Sequence, residues 1–171
     1  MSKFNNFKMK AVNQSYKRLH CATLALALCM GVVMLMASCG RHGSRQLKRE
    51  VDSFAVNYFN WQYHKAFRHV TPGSEIWIAY AASQVHQADI DLLRQKEKPA
   101  TCEIHGIDFD DNDSTAVAHV TIRDFLRMDT IGRAASFVAS ADYDIPLRFM
   151  PERQKWMVNI QAPLRPVKRM E

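Results

Sequence analysis

Phe137-Val138-Ala139-Ser140-Ala141-Asp142-Tyr143-Asp144-Ile145-Pro146-Leu147-Arg148-Phe149 sets apolar side chains at every odd position, with Ser140, Asp142, Asp144 and Arg148 at even ones. A period of two sends successive side chains to opposite faces, so the stretch predicts a half-buried strand over Ala135–Phe149. The same alternation begins just after Pro99. It predicts strands over Thr101–Phe109 and Thr115–Met128 and a last one over Lys155–Ile160, in which Trp156, Val158 and Ile160 share a face. Met150-Pro151-Glu152-Arg153-Gln154 is the turn before it.

Upstream of Pro99 the period is helical. Leu47, Val51, Phe54, Ala55, Tyr58, Phe59, Ala66, Phe67 and Val70 keep one apolar stripe and predict a long helix over Arg45–Val70. Thr71-Pro72-Gly73-Ser74 breaks that pattern and offers a cap for the next helix. Two shorter helices are expected over Glu75–Ala82, carrying Ile76, Trp77, Ala79 and Tyr80, and over Ala88–Lys96, carrying Ile90, Leu92 and Leu93. Helices succeeded by an antiparallel meander define a segregated α+β class, one long and two short N-terminal helices packed on an antiparallel four-stranded sheet, which the resemblance given next implies is curved.

This order of elements resembles the nuclear transport factor 2-like superfamily, a cystatin-like α+β cone. The residues that carry the resemblance are Tyr58-Phe59 in the first helix, Thr71-Pro72-Gly73-Ser74 after it and the closing Trp156-Met157-Val158. It covers about Leu47–Gln161. It implies a cone interior between the first helix and the sheet, either an open pocket or filled by side chains, in a superfamily that holds isomerases, dehydratases, secretion-system subunits and noncatalytic domains alike. The chain is also similar to small bacterial lipoproteins of that fold with no assigned function.

The amino-terminal segment speaks of location. Lys3, Lys8, Lys10, Lys17 and Arg18 form a basic leader without an acid, and an apolar run from Cys21 to Ala37 comes after it. That layout is a secretory signal peptide. Leu35-Met36-Ala37-Ser38-Cys39 resembles a lipobox, with Met36 where members usually carry leucine. The resemblance implies cleavage before Cys39 and lipid on its sulfur. The expected divisions are a signal peptide at 1–38, lipidated cysteine and tether at 39–45, the α+β domain at 46–162 and a tail at 163–171. Gly40 stands where an aspartate would resemble an inner-membrane retention signal, so the expected location is the outer membrane, facing the periplasm, with the inner membrane as the alternative. An uncleaved anchor is the alternative, although a run from Cys21 to Ala37 is shorter than the roughly 20 residues a spanning helix needs. Either topology leaves the domain outside the cytoplasm, because the basic leader stays inside.

Removing the leader changes what the charge implies. The chain carries 23 basic and 17 acidic residues; five of the bases and none of the acids lie in the leader, which leaves 18 against 17. A nucleic-acid role loses its electrostatic support. Cys102 is the one cysteine beyond Cys39, so no internal disulfide can staple the domain, and burial as a small hydrophobe is expected for it.

Three constellations invite chemistry. Asp108, Asp110 and Asn112 have the first, third and fifth spacing of a calcium loop, but Asp113 replaces the required glycine and His119 the required glutamate. An Asx-rich hairpin turn is expected there instead. A hairpin centred on Asn112 pairs His105 with His119 and Glu103 with Thr121, side by side at about 5 Å, as weak zinc candidates. Structural or surface histidines are the plainer reading, and no metal or cofactor is expected. His64 and His69 are five apart and do not share a helix face. The aromatic series Phe54, Tyr58, Trp61, Phe67, Trp77 and Tyr80 suits core packing, with Tyr58 and Tyr80 the candidates to line a ligand cavity.

The expected function is that of a lipid-anchored envelope protein, binding a partner protein or a small apolar ligand without catalysis. Two alternatives stay open: an isomerase- or dehydratase-like enzyme, which needs a carboxylate or histidine in the apolar interior, and a subunit of an envelope assembly. Asp142 and Asp144 fall opposite the apolar stripe, against the first.

Overall fold

A computed structural model describes residues 43–111, 113–128 and 134–167 of the chain. The leader and Cys39 lie outside the described residues. Helix α1 spans 43–59 and buries Leu47, Val51, Phe54, Ala55 and Phe59, one stripe at helical spacing. The helix ends there rather than running to Val70. Its last turn closes with Trp61 N–H on the Tyr58 carbonyl at 3.1 Å and Gln62 N–H on the Asn57 carbonyl at 2.8 Å. This is a Schellman closure, and it puts Trp61 in the left-handed region at φ 57°. The chain then turns into α2 (Tyr63–Ala66) and a 3₁₀ turn at Phe67–His69. Periodicity runs through this break because Tyr63, Ala66 and Val70 are also buried.

A 3₁₀ turn at Pro72–Ser74 leads into α3 (Glu75–Ser83), and α4 covers Gln87–Gln95. Thr71 and Ser74 are buried hydroxyls. Thr71 Oγ1 donates to Asn159 Oδ1 at 2.9 Å and Ser74 Oγ donates to the Ile160 carbonyl at 3.0 Å. Each such bond removes the cost of burying an unpaired polar group and ties the helical half to the end of the sheet.

The sheet comprises β1 (Thr101–Phe109), β2 (Thr115–Arg127), β3 (Ser136–Met150) and β4 (Lys155–Val158), antiparallel in the order β1-β2-β3-β4. It is an α+β fold with an open sheet, and its core joins Phe54, Phe59, Phe125, Tyr143 and Ile145. Val70 bridges Val158 in parallel, so the segment before α3 occupies part of the free edge of β4. Asn60 clamps the other end of α1: its amide bonds both the carbonyl and the N–H of Ala100, at 2.9 and 2.8 Å, just before β1.

Alternation in β2 and β3 reverses partway. Ala118, Val120 and Ile122 are buried, and then Phe125 is, because Asp124 between them adopts φ 54° and flips the following side chains over. β3 tracks its partner. Tyr143, Ile145 and Leu147 face the core as expected, but further back Val138 packs on it while Phe137 is 60% exposed. The expectation of one unbroken odd-numbered face is corrected: the core-facing side of β3 changes from Tyr143, Ile145 and Leu147 to Val138.

The segment expected to be a tail also belongs to the fold. Leu164 packs against the core, and Val167 N–H donates to the Asp142 carbonyl at 2.8 Å. Among the described residues no helix is long and apolar enough to cross a membrane.

Candidate functional site

A cavity of about 620 Å³ lies where the end of α1 meets α3, the far part of β2, β3 and the segment 163–166. Its wall is dominated by rings: Tyr58, Phe59, Trp61, Tyr63, Tyr80, Phe125 and Tyr143 all line it. They are held by one another. Phe59 sits 4.7 Å from Tyr143 and 5.1 Å from Phe125, and Tyr58 meets Tyr63 edge-on at 5.6 Å, arrangements that favour offset and edge contacts of aromatic quadrupoles. Tyr80 is an exposed residue, so the cavity reaches solvent on its α3 side.

Two devices aim these rings. The left-handed Trp61 backbone costs about 1–2 kcal/mol in a non-glycine residue. That cost sits on a residue of the cavity wall, where strained backbone tends to collect. The second device is burial of the phenols. Burial pushes the Tyr58 hydroxyl up to about 12. Tyr63 is raised further by burial together with neighbouring Tyr58 and Asp89. Both groups stay protonated at any physiological pH and serve as hydrogen-bond donors rather than bases.

The polar part of the wall is Gln84, Arg127 and Arg165, and no described lining residue is a carboxylate or a histidine. The nearest buried acid is Asp89 on α4, fully inaccessible to solvent. It does not line the cavity. Its Oδ2 accepts the His86 N–H at 2.9 Å at the start of its own helix, and its Oδ1 accepts the Ala135 N–H at 2.7 Å at the entrance to β3. Both oxygens are occupied by backbone, which is the arrangement of a helix cap.

The histidines expected to pair across the first hairpin do not. Glu103 does face Thr121, but a bulge between Ile104 and Gly106 shifts the register, and His119 faces Gly106. His105 is the extra residue of the bulge. The histidines serve separate networks. His105 Nε2 lies 2.6 Å from Thr121 Oγ1, whose hydroxyl donates to Asp142, so the imidazole supplies the proton of that bond. His119 reaches Asp144 at 2.7 Å through Nδ1 and Asp108 at 3.0 Å through Nε2. Hydrogen bonds to Asp144 and then to Asp108 raise its pKa, because only the imidazolium can donate to both. Among the described residues no three His, Cys, Asp or Glu side chains are grouped to hold a metal ion.

The remaining candidates fall into place around these. His69 bonds Glu50 at 2.8 Å on α1 and takes no part with His64. The turn after β1 is organised by Asp110, whose carboxylate accepts from the Asp111 N–H at 2.9 Å and the Thr115 hydroxyl at 3.0 Å. Cys102 is half-buried, and burial, helped by the Asp52 charge, pushes its thiol up to about 12, far from reactive.

Tyr58 and Tyr80, singled out in the sequence, both line the cavity, as does Trp61. Tyr63, Arg127 and Arg165 were not legible as wall residues. Tyr63 sits beyond the helix break, and the arginines come from a strand end and from a segment that reads as a tail. No protein-family model matches the chain, and no curated protein matches it.

Proposed function

We propose that this chain is a lipid-anchored protein of the bacterial cell envelope, built as a nuclear transport factor 2-like cone, whose cavity binds a small molecule with an apolar, aromatic-compatible body. The observation that carries this reading is the cavity of about 620 Å³ walled by seven aromatic side chains. A volume of that size lies in the range of ligand sites, and the wall sets aromatic rings beside the polar groups of Gln84, Arg127 and Arg165. Binding is favoured over isomerase- or dehydratase-type chemistry because proton transfer needs an acid or base against the ligand. The described wall supplies phenols held protonated and arginines instead. The anchor rests on the basic leader and the sequence ending in Cys39, and Gly40 after it supports placement on the periplasmic face of the outer membrane.

The test is calorimetric titration of the full chain, held in nonionic detergent, with soluble naphthalene derivatives. Wild type is expected to bind them with one site. Ala81→Phe, which fills the cavity from α3, is expected to abolish the heat while the variant still unfolds in one cooperative transition. Absence of binding by wild type, or binding that survives the filled cavity, overturns the reading.

A further inference from the structure

We infer that the ligand of this cavity is an amphipathic anion, an aromatic or apolar body ending in a carboxylate or a comparable acid group. The inference rests on the binding role proposed above and adds the charge of the ligand.

Three observations converge on it. Arg127 and Arg165 both line the cavity, and no described lining residue carries negative charge. A guanidinium presents five N–H donors in a planar fork, so Arg127 can engage a protein neighbour and still direct donors to a ligand, and that fork matches a carboxylate bidentately. The second observation is the donor bias of the wall. Tyr58 and Tyr63 are held as neutral phenols by burial, and each can give a hydrogen bond to an oxyanion. Gln84 adds an amide donor. The third is where the second arginine comes from. Arg165 lies between Pro163 and Pro166, in a segment held to β3 by the bond from Val167 N–H to the Asp142 carbonyl. The prolines restrict this stretch, so the exposed Arg165 side chain is delivered to the cavity by a stiffened backbone. A cationic ligand would meet two like charges, and a neutral one would gain nothing from the charge of either guanidinium.

The experiment compares 2-naphthoate with 2-naphthamide, two probes of the same ring system that differ in charge, by calorimetry on the full chain in nonionic detergent with detergent alone as blank. Wild type is expected to hold the acid about tenfold more tightly than the amide, the size of one charge-assisted hydrogen bond. That preference is expected to shrink as salt rises. Arg165→Gln, an exposed position, is expected to weaken the acid by most of that factor and leave the amide unchanged, with no shift in unfolding midpoint. Equal affinities for acid and amide in wild type, or an Arg165→Gln variant that keeps the acid preference intact, overturn the anionic assignment while the binding role stands. If neither probe binds, the binding role itself falls.

Discussion

Asp89 on α4 accepts the backbone N–H of Ala135 at 2.7 Å, so a carboxylate wholly removed from solvent sets the point at which β3 begins. Removing it orphans two backbone donors, at Ala135 and at His86, and an unpaired buried donor costs about 1–3 kcal/mol. Asp89→Ala is therefore expected to lower the unfolding free energy by about 3 kcal/mol in urea titrations. Because the group stands outside the cavity wall, Asp89→Asn is expected to leave naphthoate affinity unchanged. A variant that stays as stable as wild type but fails to bind would make Asp89 a ligand group instead.

Trp61 divides stability from binding. Its left-handed backbone suits glycine, so Trp61→Gly is expected to be about 1 kcal/mol more stable than Trp61→Ala by urea unfolding. Both variants remove the same indole from the wall and are expected to weaken naphthoate alike. If Ala and Gly prove equally stable, the strain assigned to this turn is absent.

His119 makes stability fall with rising pH. Its pKa is raised in the folded protein by Asp144 and Asp108, so the native state binds the proton more tightly than the unfolded chain. The stabilisation is fully present below the unfolded histidine value of about 6.5 and is lost as pH climbs through the higher folded value. The urea midpoint is expected to drop as pH rises above about 6.5, and His119→Gln to flatten that drop. The pairs are solvent-exposed, so added salt is expected to reduce the slope. An unchanged slope in His119→Gln would assign the effect to another group.

The anchor has its own measurement. Intact mass of protein recovered from membranes is expected to correspond to a chain beginning at Cys39 with diacylglycerol on its sulfur, and Cys39→Ala to leave the leader attached. A full-length chain with a free thiol at Cys39 would favour the uncleaved anchor.

How much of this was legible differs by element. The change from helical to alternating period after Pro99 gave the α+β class and the bounds of β1 to the residue, because burial of one face is written directly into residue spacing. Tyr58 and Tyr80 could be singled out because a phenol on an apolar stripe needs somewhere to put its hydroxyl. The break after α1 was hidden, since buried residues continue at helical spacing beyond it and Trp61 is not a residue that announces a left-handed turn.

What the order of residues determined by itself is which faces seek the core, since hydrophobicity acts through local periodicity. What only the tertiary structure decided is register and convergence. A bulge at His105 separates two histidines that simple counting pairs, Asp124 takes a positive φ within β2, and Phe137 on β3 is exposed. Packing brings Arg165 from a proline-bounded terminal stretch to the same cavity as Tyr58 of the first helix. Such meetings depend on backbone conformations at single residues and on contacts between distant segments, and neither has a local signature in the chain.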